Sequence, residues 1–348
     1  MTRTTTPIAQ TLSYRLMGAA MKSIVPAAVF AACACLFASA ATAETTPGFG
    51  NSKILILEKE KGDHGYWTTG LGKDAKPISA DRMALREQMM KRRVLEEYAE
   101  FLSPLRLPYT LRMIASDCSG NAWDSPYYDP SNHLINMCYS FIAASVQNAN
   151  ELMRIQATQK LWTPVSRDQL IAGLFTAVLL HETGHAVFDL LNVPVFGREE
   201  DAADFMAAFI PLQFGTDVAR TVIKGFAYFW AYDAYRGADP HVTAPSTKAK
   251  DPDAQCYQDP FCAYSDEHGT ASQRMYNVVC LAYGGNPAAF KDFVDIGWLP
   301  PERAEGCAAE YKQLASAFAK TVYPFIDTEQ MNKVRGRKWF LVDEVKDK

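Results

Sequence analysis

Residues 166–191 read Ser-Arg-Asp-Gln-Leu-Ile-Ala-Gly-Leu-Phe-Thr-Ala-Val-Leu-Leu-His-Glu-Thr-Gly-His-Ala-Val-Phe-Asp-Leu-Leu. Ser166 is an N-cap residue type, and Asp168 falls in the first turn, where the helix dipole favours an acid. Leu170, Ile171, Leu174, Phe175, Val178, Leu179 and Leu180 make the following helix apolar on every side, and such a helix is buried. His181, Glu182 and His185 sit in the middle of it. Burying two imidazoles and a carboxylate is costly without a partner, and a metal ion is the partner their spacing suits. Side chains four apart share a helix face, so His181 and His185 can converge on one ion. Glu182 lies about 100° further round, beside the ion, where it can take a proton from a bound water. From the chain's own His and Glu frequencies, chance supplies the His-Glu-x-x-His pattern about 0.01 times in a sequence of this length. Satisfied core histidines are the competing explanation.

The next ligand is expected from the next helix. Pro194 and Gly197 stop the first one, and a second is expected from about Arg198 to Phe214. A catalytic zinc usually takes three protein ligands and keeps a fourth position for water. Residues 197–204 read Gly-Arg-Glu-Glu-Asp-Ala-Ala-Asp. Glu200 and Asp204 are four apart and face the same way. Glu200 is therefore the expected third ligand, with Asp204 accepting a hydrogen bond from a ligand histidine. Glu199 is the rival, although it has no carboxylate partner at the four-residue spacing.

His-Glu-Thr-Gly-His followed by this Glu-x-x-x-Asp segment resembles the gluzincin metallopeptidases. More specifically, it resembles a family of exported bacterial metallopeptidases. That resemblance extends to Cys118 with Asn121-Ala122, to Ile135 and to Cys138-Tyr139. It also takes in Asp266-Glu267-His268-Gly269, Tyr276-Asn277 and Cys280, and Leu299-Pro300 through Arg303-Ala304 to Cys307. It implies a zincin-like fold, one Zn2+ per chain and hydrolysis of a peptide or protein substrate, with Glu182 as general base. Only fourteen residues separate His185 from Glu200, fewer than is usual in gluzincins. His268 is the candidate donor to the developing oxyanion, oriented by Asp266, with Tyr276 second; a His beside Asp and Gly is also an ordinary turn or cap residue. His64, His133 and His241 have no comparable setting and read as surface residues. Two other functions share these ligands: a catalytically silent zinc-binding envelope protein, and a zinc amidase acting on non-peptide or cell-wall amides.

Outside this segment the chain reads as exported. Lys22 precedes an alanine-rich apolar run from Ile24 to Ala41, and Ala41-Thr42-Ala43 has the form of a signal-peptidase site. Residues 1–43 are thus expected to be a signal peptide, with Met21 as a second candidate start. An uncleaved anchor and a lipoprotein through Cys33 are the weaker readings. Of 348 residues, 48% are hydrophobic and 21% charged, ordinary for a globular protein. Removing residues 1–43 takes Arg3, Arg15 and Lys22 and no acid, moving the formal charge from −4 to −7. An acidic domain without a basic stripe has no electrostatic reason to bind nucleic acid, and no stable membrane insertion is expected after cleavage. Six of the eight cysteines remain: Cys118, Cys138, Cys256, Cys262, Cys280 and Cys307. An even count in an oxidising compartment indicates three disulfides. Sequence does not choose among the connectivities; nearest-neighbour pairing is the simplest.

The expected fold is α+β, mainly α: a small N-terminal sheet over the active-site helix, then a helical C-terminal part. Residues 44–348 form the domain, with an α+β lobe to about 192 and a helical lobe after it. Strands are expected at 53–58, at Leu111–Ala115 and, returning as a hairpin, at His133–Tyr139. The last could receive an extended peptide by strand addition or be a plain core strand. Helices are expected over Ser79–Leu102, 141–159, 270–283 and 303–321. Residues 237–262 read as a long loop, and the tail from Asp327 as charged and peripheral.

Overall fold

The computed structural model describes residues 78–118, 125–158, 165–235 and 267–339. All lie in the unit Phe49–Lys348. The expected signal peptide, the strand at 53–58, the loop at 237–262, Cys256, Cys262, Asp266, His64 and His241 lie outside the described residues. What is described is mainly helical with one three-stranded sheet, the class expected.

Helices α1 (Ala80–Lys91) and α2 (Val94–Leu102) replace the single helix expected over 79–102. The break falls at Arg93, whose φ of 54° is left-handed. It redirects α2 so that Leu95, Tyr98, Phe101 and Leu102 all reach the core.

The sheet corrects the expected hairpin. Strands β1 (Arg112–Ser116) and β3 (Leu134–Cys138) run parallel, with Arg112 opposite Leu134 and Ser116 opposite Cys138. A short β2 (Tyr127–Asp129) pairs antiparallel with the other side of β3, Tyr128 opposite Ile135. Apolar patterning marks a strand but gives no direction, and the turn-rich stretch between the two strands hides the third. Since β3 is central, its backbone is paired on both sides. The edge available to an extended peptide on that side is therefore β2.

Helix α3 (Tyr139–Thr158) leaves β3 directly, and α4 (Arg167–Leu190) follows. A capping box opens α4: Gln169 N donates to Ser166 Oγ at 3.1 Å, and Ser166 N to Gln169 Oε1 at 3.0 Å. These bonds satisfy amides that a helix start otherwise leaves unpaired. α4 is long and apolar enough to cross a membrane, but 83% of its most apolar window is buried inside the protein. It is the central element, packing on α3, on β2 and β3, and on two later helices.

These are α5 (Glu199–Phe209) and α6 (Thr216–Tyr235). α5 stops short of the expected Phe214 because Pro211 lacks the amide needed to continue it; a 3-10 turn (Pro211–Gln213) follows. α6, which the sequence reading did not anticipate, crosses α4 closely. A Cβ added at Gly173 would lie 2.0 Å from the Thr221 carbonyl oxygen, and one at Gly225 2.3 Å from Leu174 N.

Helix α7 (Ala271–Gly285), the unanticipated α8 (Pro287–Asp295) and α9 (Pro301–Thr321) complete the helical layer. The described part of the tail, to Trp339, is not peripheral. A 3-10 turn (Tyr323–Phe325) and α10 (Thr328–Arg335) bring Val334 and Trp339 into the core, Trp339 edge-on to Phe101. Backbone bonds from Arg106 N to Phe325 O and from Asp327 N to Pro104 O fasten it there. Cys118–Cys138 and Cys280–Cys307 are disulfide-bonded, as nearest-neighbour pairing expects. The first joins the ends of β1 and β3; the second joins α7 to α9.

Candidate metal centre

His181 and His185 are one turn apart near the end of α4, and Glu200 is the second residue of α5. A short connection aims both helices at one point. Asn192 (φ 50°) and Gly197 (φ 111°) both take left-handed conformations, which reverse the chain tightly. Gly184 then lets the helices close: a Cβ there would lie 3.0 Å from Ala203 Cα. Fourteen intervening residues suffice because the turn is tight and Gly184 adds no side chain to the crossing.

His181 Nε2 and His185 Nε2 face each other at 3.2 Å. Glu200 Oε2 lies 3.0 Å from His181 Nε2, and Glu200 Oε1 3.5 Å from His185 Nε2. One donor atom from each of the three residues falls within 4.8 Å of the others. The far ring nitrogens are both engaged: His181 Nδ1 with Asp204 Oδ1 at 2.9 Å, and His185 Nδ1 with Glu199 Oε1 at 2.8 Å. Ionised carboxylates only accept, so each Nδ1 carries a proton, and a ring in its neutral form turns its Nε2 lone pair inward. With both rings neutral, three electron-rich atoms meet at one point, and only a proton or a metal cation can sit between them. Glu200 Oε2 is buried and makes no hydrogen bond of acceptable geometry, near as the imidazoles are. A cation resolves this, and two imidazole nitrogens with one carboxylate are a catalytic zinc donor set.

The electrostatics show the same demand for positive charge. Burial opposes charging His181, yet Asp204 and Glu200 raise its pKa to about 9. His185 is raised as well, against its own burial, by Glu200 and Glu199. Burial would raise the Glu200 carboxyl, but His181, His185 and His268 hold it well below the usual range.

Glu182 points into the same cleft, of about 1000 Å³, and is 7% exposed. Burial raises its pKa, the two imidazoles lower it, Glu200 raises it again, and the net direction is upward. The Tyr128 backbone amide on the edge strand β2 pulls the other way and is the smallest of these influences. His268 Nε2 stands 3.1 Å from Glu200 Oε2 at the cleft wall, and its side chain is 42% exposed. It lies outside the three-residue donor group. Tyr276, half-buried against the core, is not among the cleft-lining residues, and neither is His133.

Several supporting residues escaped the sequence reading. Glu199, considered only as a rival ligand, holds His185 as Asp204 holds His181. Arg274 grips Asp204 with two bonds of 2.6 and 2.7 Å. It falls on the buried stripe Ala271, Met275, Val278 of α7, and a charge in a core register is a readable sign of a buried partner. Tyr128 Oη donates to Asp189 Oδ2 at 2.7 Å, linking β2 to α4, and both residues line the cleft. Behind the site, Tyr98 Oη and Thr183 Oγ1 hydrogen-bond at 2.8 Å.

A family model described as "Putative metallopeptidase" matches residues 75–321. The chain belongs to this family. The matched span holds every element from α1 to α9, so the metallopeptidase family covers the sheet, the candidate centre and the disulfide-linked helices alike. No curated protein and no solved structure matches the chain.

Proposed function

We propose that this metallopeptidase-family chain is a zinc-dependent peptide hydrolase in which His181, His185 and Glu200 hold the ion and Glu182 is the general base. The observation that carries the reading is the convergence of two Nε2 lone pairs and one buried, hydrogen-bond-poor carboxylate oxygen beside an open cleft. Asp204 and Glu199 fix the two imidazoles in the tautomer that ligation needs. When bound, zinc lowers the pKa of a coordinated water to about 7 and polarises a carbonyl. Glu182 would take the proton of the attacking water and hand it to the leaving amine, and its burial raises the carboxyl above its usual range. His268 offers a ring N–H to the carbonyl oxygen as negative charge develops there. An extended substrate lies along the outer edge of β2, whose Tyr127 and Tyr128 line the cleft. Export to an oxidising compartment, with residues 1–43 removed, fits the two disulfides.

Turnover is favoured over a silent metal site because His181, His185 and Glu200 open, with Glu182, onto a cleft large enough for a substrate. Metal analysis should find about one zinc per chain. Glu182→Gln should retain that zinc and lose peptide hydrolysis by about a hundredfold or more, the scale of general-base catalysis. A variant that still cleaves a peptide library at the parent rate sinks the base assignment. Turnover of cell-wall amides but not of peptides would move the substrate class to the amidase reading.

A further inference from the structure

We propose that Arg274 is a positioning residue of this centre: acting through Asp204, it fixes the His181 imidazole in the plane that offers Nε2 to the metal. The inference rests on the zinc reading above. Arg274 lies in the first turns of α7, just after the Thr270–Gln273 capping box and six residues beyond His268. Its Nε donates to Asp204 Oδ2 at 2.6 Å and its Nη2 to Oδ1 at 2.7 Å. Oδ1 is also the atom that accepts from His181 Nδ1 at 2.9 Å. One carboxylate oxygen is thus shared between a guanidinium and a ligand imidazole.

A two-pronged guanidinium contact is planar, so it sets the plane of the carboxylate and the direction in which Oδ1 meets the ring. Water cannot substitute, because Asp204 is 2% exposed and Arg274 6%. On the other side, the guanidinium lies 3.9 Å from the centroid of the Trp230 ring on α6. Arginine is therefore clamped between a carboxylate and an aromatic face, and it does not line the cleft. It reaches the chemistry only through Asp204 and His181. Losing the outer partner of a ligand histidine commonly weakens metal binding 10- to 100-fold, and Arg274 stands one step behind such a partner.

The test uses the full chain and four variants: Arg274→Lys, Arg274→Met, Asp204→Asn and the Asp204→Asn/Arg274→Met double. Zinc affinity is measured by competition with a chromophoric chelator, the visible spectrum is recorded with cobalt in place of zinc, and metal-free melting is followed alongside. Arg274→Met should weaken zinc binding about 10-fold or more and shift the cobalt bands. Lysine, which restores charge without the planar fork, should recover only part of the loss. In the Asp204→Asn background, removing the arginine should change affinity by less than about threefold, because coupled residues are not additive. If Arg274→Met alone does not fold, Arg274→Lys, with and without Asp204→Asn, carries the same comparison, since it keeps a buried cation beside Asp204. A loss with Asp204 present and none in its absence supports the proposal, and parent-like affinity or an equal loss overturns it. Parent-like zinc affinity and cobalt spectrum in Arg274→Met, or an equal loss with and without Asp204, overturns the proposal. A parent that binds neither metal overturns the zinc reading itself, which is a different result.

Discussion

Helix α4 is approached closely at two points, and the two crossings differ in kind. At Gly173 it meets α6 backbone to backbone, and an added Cβ would lie 2.0 Å from Thr221 O. The neighbours there are Leu174, Val222 and Phe226, all buried. Eleven residues on, roughly 16 Å along the axis, Gly184 meets Ala203 of α5, where an added Cβ would stand 3.0 Å from Ala203 Cα. The neighbours there are His181, His185, Glu200 and Asp204. One crossing is a packing joint. The other keeps electron-rich atoms together at a distance that favours an ion between them. The packing joint secures α4 against its heaviest neighbour, so the polar crossing need not supply that stability itself.

The largest expected effect comes from breaking the packing joint. Gly225→Ala puts a Cβ 2.3 Å from Leu174 N and 2.5 Å from Gly173 C, and no side chain can yield there because both atoms are backbone. Overpacking of this kind costs about 1–3 kcal/mol and occasionally more; about 3 kcal/mol or above is expected here. Denaturant unfolding reads the loss, and metal analysis of the folded fraction should still give the parent zinc content. Loss of metal at unchanged stability would show that the two crossings are not separable.

Removing the metal tests the other crossing. At free zinc 100-fold above Kd, ligation adds about 2.7 kcal/mol, which a chelator should abolish. Hydrogen exchange should then accelerate in the first turn of α5, at Glu199–Ala203, and stay slow at Thr221–Gly225. Uniform acceleration would mean that the ion supports the whole fold rather than one joint.

This contrast also explains what could be read from sequence. The polar crossing was legible because its chemistry is local: two histidines four apart, then two carboxylates four apart, each spacing dictated by the helix itself. The packing joint was not. α6 carries Gly225 at its centre and the run Phe226-Ala227-Tyr228-Phe229-Trp230, which reads as apolar without a period, although buried residues occupy almost every face of it. Parallel pairing of β1 with β3 was hidden for a similar reason, since apolar patterning is the same in either direction. Trp339, in a charged tail, is buried only because α10 turns it onto Phe101 and Phe214. Glu199 stands in the sequence as a rival metal ligand: spacing brings it to the site but does not say that its carboxylate meets His185 Nδ1.

Gly184→Ala should cost less stability than Gly225→Ala and more function. Its Cβ must displace Ala203 by only a few tenths of an ångström, so about 1 kcal/mol is expected. Yet α5 carries Glu200 and Asp204 with it when it moves. Zinc affinity should fall by about tenfold, the scale seen when support of a ligand is disturbed. A stable variant with parent affinity would mean that Glu200 can follow the ion independently of its helix.

The smallest effect tests whether electrostatics on the far side of α6 reach the centre at all. Asp292 of α8 accepts from Arg220 Nη2 at 2.8 Å, and Lys224 Nζ stands 3.4 Å away. Burial raises the Asp292 carboxyl, but Arg220 and Lys224 hold it below its usual range. A carboxyl whose folded pKa is depressed adds stability above its unfolded value, about 4, and loses it as pH falls through the folded value. The parent should therefore lose this increment below about pH 4, and Asp292→Asn should lack that part of the acid dependence. At pH 7 the variant should be less stable by under about 1 kcal/mol, because the pair is partly exposed and screened. Its zinc affinity should not change, since the ion pair joins α6 to α8 and touches neither Glu200 nor the histidines. A shift in zinc affinity would show that α6 transmits strain through the Gly173 joint to the metal, and the two crossings would then have to be treated as one device.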